Sequence, residues 1–147
     1  MEEALDPAID ARVRASIARQ TLLTTLGVTV ERLGPGYAEF GLAKRADLTQ
    51  QHGFVHAGAI TTIADTACGY AAYTLFPADR DVLTVDFTLN LVAPAAQSQF
   101  VAAGRVVRSG RTMTICRGEV FGIGEDGQRA VIALIQATMM AVTRMSA

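Results

Sequence analysis

The feature that most constrains the fold is a change of periodicity near the middle of the chain. Residues 56–73 contain no proline and are rich in alanine, which favours a long and largely buried helix. Beyond Pro77 the sequence alternates between apolar and polar residues with a period of two, which is typical of strands. The alternating segments predict four strands, at about residues 82–92, 98–108, 111–122 and 129–142.

The chain before the long helix predicts a shorter helix and a hairpin. Asp6 followed by Pro7 is an N-cap with proline at the first helical position. A second turn signal, Gly34-Pro35-Gly36, is flanked by apolar stretches that suit paired strands. The elements expected in this part are a helix at about residues 7–25, strands at 28–33 and 37–43, and a loop at 44–55.

The connections between the four late strands indicate the fold class. They contain Pro94, Ser109-Gly110 and Glu125-Asp126-Gly127, which suit tight antiparallel turns. Between residues 83 and 91 of the first of these strands, the odd-numbered residues are apolar and the even-numbered residues polar. One face is therefore expected in the core, and the other to be polar or to meet a partner. Residues 1–147 predict one α+β domain, with an antiparallel sheet wrapped against one helix.

Composition and charge exclude several classes of protein. Charged residues make up only 18% of the chain and apolar residues 50%, which favours a homo-oligomer whose surface is partly covered by self-association. Thirteen basic and fourteen acidic residues leave a net charge of −1, so no nucleic acid partner is expected. An acidic N-terminus and the lack of a long apolar run predict a cytoplasmic protein with no membrane partner.

Familiar cofactor and metal motifs do not fit. Residues 122–127 match the glycine pattern of dinucleotide sites, but they join two strands and open no helix. No serine lies in the elbow motif of serine hydrolases. The only histidines, His52 and His56, lack further clustered ligands, so neither a metal nor a cofactor is expected. Cys68 and Cys116 are expected to be buried thiols.

The segment that leads into the long helix is the best candidate for chemistry. If His56 begins the helix, the N–H groups of Ala57 and Gly58 are unpaired donors of its first turn and can bind an oxyanion. Asp65 follows His56 by nine positions, about two and a half turns, on a face shared with small residues. It can act on the same group as those amides only if the ligand is long or a second subunit contributes. A solvated surface carboxylate and a capping histidine remain the alternative interpretation.

Gln50, then His56-Ala57-Gly58 at the start of a long helix and Ala64-Asp65 within it form a pattern in residues 50–73. This pattern resembles that of the hotdog-fold acyl-CoA thioesterases, specifically the phenylacetate-pathway-like group. The usual pattern of that group is Asn or Gln, then His-Gly-Gly, then Leu-Ala-Asp, and the similarity extends over about residues 20–142. Two departures are alanine at position 57, where the group has its first glycine, and glutamine at position 50, where asparagine is commoner. The residues that carry the resemblance are Gln50, His56-Ala57-Gly58, Ala64-Asp65, Thr84-Val85-Asp86, Ala93-Pro94 and Arg108-Ser109-Gly110-Arg111.

The resemblance implies a hotdog fold and hydrolysis of an acyl-CoA thioester to a free acid and CoA. It implies that Asp65 attacks the thioester carbonyl or activates water, while the N–H of Ala57 polarises the carbonyl. Gln50 would help to position the nucleophile or the thioester, His56 would orient the loop, and Thr84 would lie near the reacting water.

The resemblance also implies a homodimer, or a dimer of dimers, in which the long helix of one subunit faces the residue 50–58 loop of its mate. The hairpin of Arg108, Ser109, Gly110 and Arg111 would lie near the nucleotide moiety of CoA. Two alternatives remain: an acyl-thioester dehydratase or hydratase with His56 as general base, and a non-catalytic acyl-CoA binder. The sequence does not identify the acyl group.

Overall fold

The computed structural model describes residues 3–145, which form one antiparallel sheet and one long buried helix. The six strands are ordered β1-β2-β4-β5-β6-β3 across the sheet. The α+β prediction is thereby confirmed. The elements are α1 (Pro7–Ala18), α2 (Thr21–Leu26), β1 (Thr29–Gly34), β2 (Tyr37–Ala43), a 3₁₀ turn (Ala46–Leu48), α3 (Ala57–Tyr73), β3 (Arg80–Leu91), β4 (Gln99–Ser109), β5 (Met113–Ile123) and β6 (Arg129–Thr143).

Helix α3 is the centre of the core because the strands pass directly beneath it. Its Ile60, Ile63 and Ala67 are fully or almost fully buried. A Cβ atom at Gly104 of β4 would lie 2.4 Å from the carbonyl carbon of Ala67, so only glycine allows this close approach of strand and helix. The helix is therefore held by backbone contact as well as by apolar packing.

The prediction of one N-terminal helix over residues 7–25 is wrong, because the chain breaks between α1 and α2. The N–H of Arg19 bonds to Ser16 and that of Gln20 to Ile17, which tightens and ends α1. In one straight helix, Leu23 would not lie on the apolar stripe of Ile17, because residues six positions apart point to different sides of a helix. The break turns Leu23 inward, where it is buried.

The prediction of a tight antiparallel turn at Pro94 is also wrong. β3 pairs with β6 at the edge of the sheet, whereas β4 pairs with β2 and β5, so residues 92–98 cross between non-adjacent strands. The crossover is anchored to the loop before α3, since the N–H of Val55 donates to the carbonyl of Ala95 at 3.0 Å. The other two connections are the antiparallel turns that the sequence predicts.

Most of the apolar side chains of β3 are exposed within one chain, contrary to the sequence-based expectation, and only Leu89 of residues 83–91 packs against the core. Leu83, Val85, Phe87 and Leu91 are between 42% and 49% exposed. A bulge between Thr84 and Asp86 interrupts the alternation, so Thr84 lies opposite the buried Met139 and on the side of α3. β3 is an edge strand, and within one chain it has a partner on one side only.

Two smaller findings concern the described residues. Cys68 and Cys116 are buried free thiols, as predicted, and burial raises the pKa of Cys116 to about 12. Within residues 3–145, no helix is both long enough and apolar enough to cross a membrane.

Candidate active site

The N-terminus of α3 presents one backbone amide without an acceptor. His56 is the N-cap, with φ −60° and ψ 140°, and its Nδ1 accepts a hydrogen bond of 2.7 Å from the N–H of Gly58. The Gly58 amide is therefore satisfied internally, which corrects the expectation that it joins Ala57 in an oxyanion site. In the described part of the chain, no group accepts a hydrogen bond from the N–H of Ala57. This amide points outward with the helix dipole behind it.

Alanine at position 57 fits the backbone without strain. No residue other than glycine in the described chain has a positive φ, so the Cβ of Ala57 meets no left-handed conformation. The departure from glycine therefore leaves the amide available at this site.

The loop before α3 is organised by the side chain of Gln50. Its Oε1 accepts hydrogen bonds from the N–H groups of His52, at 2.6 Å, and Phe54, at 3.3 Å. Gly53, at φ 83°, makes the turn inside this loop. The carbonyl oxygen of the Gln50 side chain is thus used in shaping the loop, and only its amide nitrogen can reach a ligand.

A cavity of about 480 Å³ lies beside this loop and the start of α3. Its polar residues are Gln50, Gln51 and His56, and Ala57 also lines it. The crossover after β3 forms the opposite wall, which sequence reasoning missed; Ala93-Pro94 is the only signal for it. The apolar lining consists of Phe54, Val55, Ala57, Leu91, Val92, Ala93, Pro94 and Ala95.

Asp65 lies farther along α3 and is held by Thr84. The hydroxyl of Thr84 donates to Oδ1 of Asp65 at 2.8 Å. Asp65 is partly buried. Burial raises the pKa of its carboxyl above the usual range, and the hydrogen bond from Thr84 opposes that rise. The arrangement leaves Oδ2 as the oxygen that can attack a carbonyl or accept a proton from water.

The structure joins Asp65 to Thr84 by a hydrogen bond and places Gln50, His56 and Ala57 along one cavity, but it does not bring these two groups together within one chain. Ala57 and Asp65 are eight residues apart on one helix, so they are separated by a rise of about 12 Å. A thioester carbonyl bound to the Ala57 amide is therefore out of reach of the Asp65 carboxylate of the same chain.

The hairpin between β4 and β5 lies at the Asp65 end of the sheet. Thr114 at the start of β5 is paired with Met139, which is paired in turn with Thr84. Arg108 and Arg111 are exposed on either side of the turn, and the N–H of Gly110 donates to the carbonyl of Met113 at 2.8 Å. The arginines are thus on the side of Asp65 and away from the cavity of their own chain.

Replacing Thr84 by valine is expected to raise the pKa of Asp65 further, because the hydrogen bond that favours the ionised carboxylate is lost. A reaction that needs the ionised Asp65 carboxylate should then begin to slow at a higher pH than in the wild type as the solution is made more acidic. The acid limb of the pH profile of kcat/KM measures this shift. Thr84→Ser keeps the hydroxyl and should restore the original limb; an unmoved limb in Thr84→Val would contradict the role of the bond.

No metal-binding cluster accompanies these residues. Within residues 3–145, no three His, Cys, Asp or Glu side chains come together in a way that could hold a metal ion. The chemistry available here is that of a carboxylate, a hydroxyl, an imidazole and a backbone amide.

Comparison with known proteins identifies the family. The profile of the thioesterase superfamily matches residues 52–126, which include the start of α3, Asp65 and Thr84. The chain belongs to the thioesterase superfamily. A thioesterase family protein from Silicibacter pomeroyi is 40% identical, with a TM-score of 0.89 over 92% of this chain and 99% of that one. Membership of the thioesterase superfamily supports thioester hydrolysis as the general activity.

More distant structures share the fold. A conserved protein from Pseudomonas aeruginosa is 25% identical, with a TM-score of 0.76 over 84% of this chain and 94% of that one. The PaaI protein from the phenylacetic acid degradation operon of E. coli is 17% identical, with a TM-score of 0.83 over 95% and 96% of the two chains. The hotdog fold expected from the resemblance is thereby confirmed for this member of the thioesterase superfamily.

Proposed function

We propose that the protein hydrolyses an acyl-CoA thioester to a free acid and CoA. The observation that carries the proposal is that α3 holds both a partly buried carboxylate, Asp65, and a helix amide, Ala57, that has no acceptor in the described chain. A backbone donor polarises the carbonyl and stabilises the oxyanion that forms when it is attacked. The carboxylate acts as the nucleophile or as the general base.

The Ala57 amide and the Asp65 carboxylate come together in a homodimer that pairs through β3. In an antiparallel pairing of two β3 edges, the cavity at residues 91–95 of one chain lies beside Thr84 and Asp65 of the other. In such a pairing, position 84 of one chain and positions 91–95 of the other lie at equal distances from the two-fold axis. The axis would therefore pass close to Leu89. The exposed Val85, Phe87 and Leu91 make this edge a surface that pairing would cover.

In this dimer the thioester carbonyl accepts a hydrogen bond from the Ala57 amide of one subunit. Asp65 of the other subunit either attacks the carbonyl carbon, giving an anhydride that water then cleaves, or removes a proton from the attacking water. In both routes the C–S bond breaks and CoA leaves as a thiolate that takes up a proton. Gln50 and His56 hold the loop that presents the amide.

The product distinguishes this activity from its rivals. Incubation with acyl-CoA esters of aryl, short and long chains should release free thiol, measured with a thiol reagent, in parallel with loss of the ester. Conversion of a 3-hydroxyacyl-CoA to an enoyl-CoA and water, without thiol release, would support a dehydratase, whose general base would be His56. Tight binding of the ester without turnover would support an acyl-CoA binder.

We expect the arginines of the β4–β5 hairpin to bind the phosphates of CoA. Arg108→Ala combined with Arg111→Ala should raise KM several-fold for an acyl-CoA and leave KM for the matching acyl-pantetheine thioester almost unchanged. Arg14→Ala, a change to an exposed arginine of α1, is the control. Equal effects on both substrates, or none on either, would show that the two arginines are solvated surface residues that do not bind the CoA phosphates.

A further inference from the structure

One ring nitrogen of His56 is committed to the backbone of its own helix. Nδ1 accepts a hydrogen bond of 2.7 Å from the N–H of Gly58, and a ring nitrogen that accepts a hydrogen bond carries no proton. A neutral imidazole has one proton, which therefore lies on Nε2. Among residues 3–145, no group forms a hydrogen bond with Nε2. The start of α3 thus selects one tautomer of His56 and leaves its Nε2–H as a donor for a ligand.

Glycine at position 58 makes this arrangement possible. A Cβ atom on Gly58 would lie 3.0 Å from Nδ1 and 3.4 Å from Cε1 of the His56 ring, which is tighter than most contacts that a Cβ atom makes. The φ angle of Gly58 is not positive, so the backbone conformation does not itself require glycine. Glycine is also among the least favourable residues within a helix. The close approach of the imidazole ring is therefore what requires glycine at this position.

The second glycine of α3 shows that this requirement is specific to position 58. Within 4 Å of a Cβ atom on Gly69, the described chain offers only the Sδ atom of Met139, at 4.0 Å, which is an ordinary contact. The φ angle of Gly69 is not positive either. The two glycines therefore form a matched pair, since alanine should displace the imidazole ring at position 58 and displace nothing at position 69.

The neighbouring polar groups are also donors. Gln50 lines the same cavity as His56, and its Oε1 is used by backbone N–H groups of the loop, so its amide nitrogen is what it can offer to a ligand. A carbonyl oxygen has two lone pairs and can accept a second hydrogen bond beside that of the Ala57 amide. The Gly58 amide is used in the helix cap, so this second donor has to be a side chain. The imidazole of His56 is the side chain that the cap holds at the end of the helix.

We propose that His56 donates a hydrogen bond from Nε2 to the thioester carbonyl oxygen, beside the Ala57 amide, and that Gly58 is the residue that positions its ring. The inference rests on the proposed function, because that function places the thioester carbonyl at Ala57. The Gly58 amide donates to the ring and the ring donates to the substrate, so two hydrogen bonds in one chain polarise each other.

The same tautomer excludes a second role for His56. A general base needs a nitrogen with an available lone pair. In His56, Nδ1 already accepts from Gly58 and Nε2 already carries the proton. The ring in this position can donate to the substrate but cannot remove a proton from it, as the general base of a dehydratase would.

NMR of the histidine ring nitrogens tests the tautomer without reference to turnover. Long-range proton–nitrogen correlation spectra at mildly alkaline pH show which ring nitrogen carries the proton, and His52→Gln assigns the signals, since the chain has two histidines. Wild-type His56 should be protonated at Nε2 alone. Gly58→Ala should give a mixture of tautomers, and Gly69→Ala should not. A mixture of tautomers in the wild type, or an unchanged spectrum in Gly58→Ala, would overturn the inference.

Substitution of His56 separates the donor from the helix cap. Serine is a preferred N-cap residue, so His56→Ser keeps an acceptor for the Gly58 amide and removes the donor, whereas His56→Ala removes both. His56→Ser should therefore keep a Tm close to that of the wild type and lose at least about tenfold in kcat/KM, the effect of one lost hydrogen bond. Gly58→Ala should lose about as much, because it moves the ring.

The outcomes separate this inference from the proposed function. Wild-type kcat/KM in His56→Ser would show that His56 is only a cap. Conversion of a 3-hydroxyacyl-CoA to an enoyl-CoA by the wild type, abolished in His56→Ser, would show that His56 is a general base instead. Either result would remove this inference while thiol release still supported the hydrolase. A fixed Nε2–H tautomer in a protein that releases no thiol from any acyl-CoA would instead remove the proposed function.

Discussion

Replacing Asp65 by asparagine is expected to lower the turnover number at least about a hundredfold, because the change removes the nucleophile or general base and keeps the size of the side chain. The hydrogen bond from Thr84 has an acceptor in either residue, so the geometry of the site should survive. The measurement is kcat for thiol release. Asp47→Asn, at an exposed aspartate near the 3₁₀ turn, is the control. Turnover close to that of the wild type in Asp65→Asn would refute the proposed mechanism.

The same variant should not be less stable at neutral pH. Burial raises the pKa of Asp65 in the folded state, so the folded protein favours the neutral acid. The stability that this carboxyl contributes is present below its unfolded pKa and is lost as the pH rises through the raised folded value. Asparagine stays neutral at every pH and avoids that loss. An unchanged or higher Tm, measured by circular dichroism at pH 7, would show that lost turnover is not lost folding.

Replacing Ala57 by proline is expected to lower kcat by about a hundredfold to a thousandfold, the usual effect of removing one oxyanion donor. Ala57 is the first residue of α3, the helical position at which proline is best tolerated. His56 before it already has φ −60° and ψ 140°, the conformation that a following proline requires. The variant therefore removes the N–H and leaves the helix and its cap in place.

Ala57→Ser is the matched control, since it changes the side chain and keeps the amide. It should retain most of the wild-type turnover. If Ala57→Pro is folded and as active as Ala57→Ser, the amide of residue 57 does not polarise the thioester.

Mixing the two inactive variants tests whether the site is shared between subunits. A hybrid dimer has one intact site, with Asp65 from the Ala57→Pro chain and the Ala57 amide from the Asp65→Asn chain. Random reassociation of equal amounts should recover about a quarter of the wild-type activity, since half of the dimers are hybrids with one working site. No recovery, despite hybrid dimers observed by native mass spectrometry, would contradict the shared site.

The local elements of the fold could be predicted because short-range physics determines them. The alanine-rich, proline-free stretch gives α3, and His56 at its start is a capping residue whose Nδ1 accepts from the backbone. The turns at Ser109-Gly110 and Glu125-Asp126-Gly127 join strands that are adjacent both in sequence and in the sheet. Asp65 and Ala57 could be singled out by their spacing on one helix and by the family resemblance.

The tertiary structure alone decided how distant segments meet. The local sequence pattern does not specify that β3 pairs with β6, because any strand of similar length with a free edge would suit the same alternation of apolar and polar residues. Long-range packing determines which strand is the partner. That pairing brings Thr84 to Asp65 and leaves most of the apolar side chains of β3 exposed. It also turns residues 92–98 into the wall of the cavity beside Ala57.

The sequence by itself therefore singled out the residues that we propose to carry the chemistry, and the tertiary structure decided where they lie relative to one another. Because a helix has a fixed rise per residue, the distance between Ala57 and Asp65 follows from their positions on α3. Whether Gly58 still had a free amide depended on the rotamer of His56, which no spacing reveals. The bulge at Val85, which turns Thr84 toward α3, arises from the pairing of β3 with β6 and has no signature in the alternation of β3 alone.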